Sequence, residues 1–164
     1  MRPVSAEAAI DAPRAAVFEL LGDLSVRPAF TDHFIHSYRL LRIESVGVGA
    51  GARFECPAAG GWMDSIIAEA DVPHRLVERG RGGRLNRVPN VTEWLLADVP
   101  GTGGCEVRVT FTTEPQHPFD RLRDRRISER KLTREWRTAL RRLREIAETG
   151  QEPRRVAVAG ADRI

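Results

Sequence analysis

Lysine is nearly missing: of 26 basic side chains, only Lys131 is a lysine. Arginine in such excess, alongside abundant alanine, glycine and proline, reflects a coding bias toward GC-rich codons. The net charge is only +3, so arginine number alone makes no case for nucleic acid as a partner. Cysteine is scarce too. Cys56 and Cys105 form no CxxC pair and sit in apolar, strand-like runs, which excludes a disulfide framework and predicts small reduced core residues. No apolar run approaches the ~18 residues of a membrane-spanning helix. The opening MRPVSAEAAIDAPRAAV has no continuous apolar stretch of signal-peptide type, so a cytoplasmic location is expected.

Other absences remove whole classes of chemistry. No G-x-S-x-G marks a serine hydrolase. The glycines of GVGAGA (Gly47, Gly49, Gly51) lead into a strand rather than a helix, and GRGGR (Gly80 to Arg84) opens no phosphate loop, so no nucleotide cofactor is expected. Among the histidines, His33 and His36 have i,i+3 spacing beside Asp32, but no third ligand is near, and no metal is expected.

What remains is an ordinary globular composition, 41% hydrophobic and 30% charged. A chain of 164 residues suits one domain that buries about 70% of its unfolded surface. Its expected limits are residues 1–150, followed by a short tail, 151–164. Val4 to Asp11 alternates as a first strand. DAPRAAVFELLGD reads as a helix with Pro13 in its first turn and Gly22 at its end. SVRPAFTDHFIHSY, broken by Pro28, allows one or two short turns. From Tyr38 to Glu114 the apolar period becomes two, with turn residues every eight to twelve positions. Strands are predicted at YRLLRIESV, ARFECP, WMDSIIAEA, RLVERGRG, VTEWLLAD and CEVRVTFTTE. A long helix follows, from Phe119 and Leu122 through Leu132, Trp136, Leu140, Leu143 and Ala147, stopped by Gly150 and Pro153. The fold class is α+β.

The strand-helix opening AAIDAPRAAVFELLGDL, the RPAF segment, the hairpin GVGAGARFEC, the corner EADVPHRLVE, VTEWLL, GTGGCEVRVTF and the final helix with Trp136 agree in order with a known family. Over Val4 to Glu148 the chain resembles the START-like, Bet v 1-type (SRPBCC) superfamily, including bacterial polyketide cyclase/dehydrase-like proteins. The resemblance implies a helix-grip fold: a curved antiparallel sheet of about seven strands around a long C-terminal helix, with one or two short helices after the first strand. It also implies a cavity for an apolar or amphipathic molecule such as a lipid, quinone or polyketide. It carries no catalytic residue over, and fold alone does not choose among these roles. In that frame His74, at the Pro73–Arg75 corner, is expected to be a solvent-facing turn residue.

The candidate site follows from alternation. Phe54, Trp62, Trp94 and Phe111 from the strands, with Trp136 and Leu140 from the helix, are expected to line the cavity or fill a core. Asp64 shares a face with Trp62 and Ile66, and Glu78 with Leu76. Turned inward, either carboxylate would orient a ligand or act as a general acid or base in a cyclase. Turned outward, each would form a cross-strand salt bridge. His33 is expected to be a partly exposed loop residue, with a place facing the cavity mouth as the alternative. The final helix from Asp120 to Glu148 carries eleven positive and six negative residues, with Arg125–Glu129, Lys131–Glu135, Arg141–Glu145 and Arg144–Glu148 at i,i+4. A solvated, paired face is expected, with an interaction module, its footprint for nucleic acid or an anionic membrane surface, as the alternative. The exposed edge of such a sheet allows a monomer or a homodimer.

Overall fold

The computed structural model describes residues 2–83, 85–124 and 127–157. Seven strands, β1 (Val4–Ile10), β2 (His36–Leu40), β3 (Gly51–Cys56), β4 (Gly61–Asp71), β5 (Arg75–Gly82), β6 (Val88–Asp98) and β7 (Cys105–Thr113), form one antiparallel sheet in the order β1-β7-β6-β5-β4-β3-β2. Helices α1 (Arg14–Gly22) and α2 (Arg27–Thr31) carry the chain from one edge of the sheet to the other. Successive hairpins then return it to β1. The sheet has one face to cover, and α4 (Glu129–Thr149) covers it, presenting Leu132, Trp136, Ala139, Leu140 and Leu143 as a buried stripe. At about 1.5–3 kcal/mol for each large apolar side chain taken from water, this stripe fixes the helix to the sheet.

Helix α4 begins and ends on local signals. The Ser128 hydroxyl accepts a hydrogen bond from the Lys131 amide at 3.2 Å, an N-cap that starts a new helix there. Gly150, at φ 62°, ends it in the left-handed conformation. The single helix expected from Asp120 onward is therefore two, with α3 (Pro118–Asp124) ahead of α4. Phe119 and Leu122, read as the start of the stripe, are 75% and 56% exposed. Their spacing imitates the stripe, but the Ser128 cap restarts the helical phase. The Arg125 pairing and the tail beyond residue 157 lie outside the described residues, as does Arg84 in the β5–β6 connection.

The strand expected over Tyr38 to Val46 ends at Leu40. The backbone beyond it is claimed by a different partner: Ser45 O accepts from the Leu24 amide at 2.9 Å, and the Gly47 amide donates to Gly22 O at 3.3 Å. The segment ties the sheet edge to the α1–α2 junction and leaves Ile43 89% exposed. The β4–β5 corner is a tight turn, closed by the His74 amide donating to Asp71 O at 2.6 Å. His74 is exposed there, as expected, with Nδ1 3.0 Å from an Arg14 guanidinium nitrogen.

A cavity with a buried ion pair

Register decides which side chains meet α4. Opposite residues in an antiparallel pair share a face. Ala52, Phe54 and Cys56 of β3 stand opposite Ser65, Met63 and Gly61 of β4, so Met63, Ser65 and Ile67 are the buried members of β4. Arg53 stands opposite Asp64, on the other face. Two candidates are thereby corrected. Trp62 is 41% exposed and lies beneath the Arg53 guanidinium, 5.7 Å from its ring centroid. Asp64 pairs with Arg53 at 3.7 Å and accepts from Asn86 Nδ2 at 2.6 Å. The cross-strand salt bridge is the right reading for Asp64 and the wrong one for Glu78.

Glu78 is buried beneath the sheet. Its Oε1 accepts from Arg27 Nη2 at 2.7 Å and from Trp94 Nε1 at 2.9 Å, and its Oε2 accepts from the Ser65 hydroxyl at 2.8 Å. The Arg27 Nη2 donates again to Leu21 O at 2.9 Å, and the guanidinium lies 4.9 Å from the Trp94 ring centroid. Both ends of the ion pair are enclosed, with side-chain exposures of 5% and 6%. Arg27 was not foreseen. A glutamate inside an apolar strand run demands a buried cation, but among 26 basic residues nothing in the sequence marks which one answers.

This pair forms part of the wall of a cavity between sheet and α4. Phe54, Phe111, Tyr38, Ala52, Leu132 and Trp136 supply apolar wall, and Thr92 and Ser65 add polar atoms. Trp94 and Leu140, also expected here, are buried; Trp94 reaches the site through Glu78, and Leu140 belongs to the packed stripe. Rings converge: Trp136 meets Trp94 edge-on at 5.6 Å and Phe34 at 5.1 Å. The free volume is about 20 Å³, roughly one water's worth. A second void of about 30 Å³ lies on the other side of Ala59, bounded by Gly60, Met63, Gly83, Val88 and Ile127.

Titration adds detail to the wall. Burial pushes the Cys56 thiol up to about 12, which keeps it a neutral thiol rather than a thiolate nucleophile. Burial likewise pushes the Tyr38 hydroxyl up, and that hydroxyl donates to Leu24 O at 3.0 Å. His33 is more enclosed than expected. Its Nε2 lies 3.1 Å from Glu135 O at 14% side-chain exposure, and desolvation holds it below the usual histidine value. Both cysteines are free and buried. Among the described residues no cluster of three His, Cys, Asp or Glu side chains is placed to hold a metal, and no helix is long and apolar enough to cross a membrane. On the solvent face of α4, Arg144 pairs with Glu148 at 2.9 Å, Arg142 pairs with Asp32, and Arg134 reaches Glu135 at 3.5 Å.

A sheet gripping one long helix over a mostly apolar cavity defines a helix-grip domain. The model of the family described as polyketide cyclase/dehydrase and lipid transport matches residues 1–148, and the chain belongs to that family. No curated protein matches it. Among solved structures, KanY superposes with a TM-score of 0.71 at 19% identity, covering 89% of this chain and 97% of KanY. TTHA0849 from Thermus thermophilus gives 0.66 at 20% identity, covering 92% and 99%. DynU16, a protein of the dynemicin biosynthetic locus, gives 0.60 at 19%, covering 95% of this chain and 50% of DynU16. At these identities the likeness is one of fold.

Proposed function

We propose that this domain binds a small hydrophobic molecule with a polar end, seated between the sheet and α4. The observation that carries the reading is the Arg27–Glu78 pair. Burying two charges costs several kcal/mol per ion before their attraction offsets it, and a well-packed apolar pair would fill the same space at less cost. Its position on a mostly apolar cavity wall fits the usual form of a ligand site, a greasy pocket with a few placed polar groups. The family's description, cyclase/dehydrase and lipid transport, suits such a cavity. Ala59 lines both small voids, and a ligand larger than one water requires the chamber to widen around it. Glu78 already accepts from three donors, which suits an orienting group better than a proton shuttle and favours binding over cyclase chemistry.

Native mass spectrometry of freshly purified protein, repeated after denaturation, tests this. One apolar molecule per chain is expected, and Ala59→Leu, which adds bulk at the residue lining both voids, should lose it while keeping the native circular dichroism. No adduct, together with no saturable binding of an apolar dye, overturns the reading. So does full retention of the adduct in Ala59→Leu.

A further inference from the structure

Two buried polar atoms among the residues lining the cavity have no hydrogen-bond partner: Nε of Arg27 and Nε1 of Trp136. Their residues are only 4% and 5% exposed. Both atoms are donors. Both side chains pack on Trp94: the Arg27 guanidinium carbon lies 4.9 Å from that ring's centroid, and the Trp136 ring lies 5.6 Å from it. Trp94 itself has spent its N–H on Glu78. The carboxylate of the wall is engaged instead. Glu78 Oε1 receives two hydrogen bonds and Oε2 one. The charges of Arg27 and Glu78 cancel.

A buried donor without a partner costs free energy, so this wall is complementary to a molecule that brings an acceptor and no charge. We infer that the cavity takes a neutral hydrophobic molecule ending in a carbonyl, a ketone or quinone-type oxygen, and that Trp136 is the residue that selects for it. The inference rests on the cavity reading above and narrows it. An anionic carboxylate would bring an uncompensated charge into a wall that is already neutral. A hydrocarbon would leave both donors unpaired. Sites built to hydrogen-bond a ligand group discriminate strongly against analogues that lack it, for that reason.

Three probes share the naphthalene ring system and a substituent of three heavy atoms: 2-acetonaphthone, 2-isopropylnaphthalene and 2-naphthoate. Calorimetric titration of the full chain should give affinity for the ketone at least about ten-fold above the hydrocarbon, the scale of a buried donor that gains a partner, with the carboxylate weaker than the ketone. In Trp136→Phe the ketone-to-hydrocarbon ratio should fall toward one. Nuclear magnetic resonance of the wild-type chain supplies a readout that needs no variant: the Trp136 indole N–H proton should move downfield with the ketone and not with the hydrocarbon. Equal binding of ketone and hydrocarbon would mean that a trapped water satisfies the donors; it overturns this inference and leaves the cavity reading standing. Tightest binding by 2-naphthoate overturns the neutral-ligand assignment. An unmoved Trp136 indole signal on ketone binding removes Trp136 from the role. No saturable binding by any of the three overturns both readings.

Discussion

Strand β5 carries arginine–glutamate chemistry on both faces of the sheet, and the two faces use it differently. On the outer face, Arg75 donates to Glu93 at 2.7 Å and to Glu69 at 2.8 Å, and Arg79 reaches Glu69 at 3.1 Å. Those side chains are 33–57% exposed. On the inner face, Glu78 meets Arg27 at 2.7 Å with both side chains nearly sealed from water. The distances match, yet the energetics do not. An exposed pair trades hydration for a screened attraction and nets little, whereas a buried pair has given up its hydration, so losing either partner strands a charge. A one-residue step along a strand separates a solvent-facing ladder from a sealed ion pair.

The largest way to break the comparison is to remove one inner partner. Arg27→Ala or Glu78→Ala should each cost about 3–5 kcal/mol in urea denaturation, the range for a buried charge left alone. The double variant Arg27→Met with Glu78→Leu should recover most of that loss, because no charge is then stranded. Single variants within about 1 kcal/mol of wild type, inside the range for an exposed pair, would place Glu78 energetically with the outer ladder.

An intermediate case sharpens the scale. Asp23, at the end of α1, is 7% exposed. Burial alone would raise its carboxyl, but hydrogen bonds from the Ser25 hydroxyl and amide and from the Ser45 hydroxyl, with the Arg155 guanidinium alongside, outweigh burial and hold it below the ordinary value. The tail is tied down at this point, since the Val156 amide also donates to Ser25 O at 2.9 Å. A carboxylate depressed in the folded state stabilises fully above its unfolded value, about 3.9, and that stability is lost as pH falls through the folded value. Between about pH 5 and pH 2, wild type should therefore lose more stability than Asp23→Asn. Parallel stability-pH curves for the two proteins would remove Asp23 from this role.

The same step of one residue limits how much of the molecule was legible in its sequence. Periodicity located seven strand runs and the α4 stripe, and Gly150 marked the helix end, because those signals act over a few neighbouring residues. In WMDSIIA, however, Trp62-Asp64-Ile66 and Met63-Ser65-Ile67 each hold two apolar residues and one polar. Only pairing with β3, where Arg53 stands opposite Asp64, chooses between them. Glu78 was legible as a candidate and Arg27 was not, since their contact joins residues 51 positions apart. The early end of β2 at Leu40 was hidden for a related reason: Ser45 O accepts from, and the Gly47 amide donates to, the α1–α2 junction, a partner no local pattern announces.

The smallest effect belongs to the outer ladder, and it completes the contrast. Hydrogen bonds from Arg75 and then Arg79 hold the Glu69 carboxyl below the usual carboxylate range. Its contribution is thus present above the unfolded value and fades as pH falls through the folded one. Because all three side chains stand in water, Glu69→Gln should shift the thermal midpoint only slightly at low ionic strength. At about 1 M salt, where the screening length shrinks to roughly 3 Å, the shift should disappear. Arg27→Ala should keep its full penalty in the same salt, since ions do not reach a sealed pair. A salt-insensitive loss in Glu69→Gln as large as that of Glu78→Ala would reverse the assignment, making the solvent face the place where charge holds the sheet together and leaving the buried pair without special claim to a ligand.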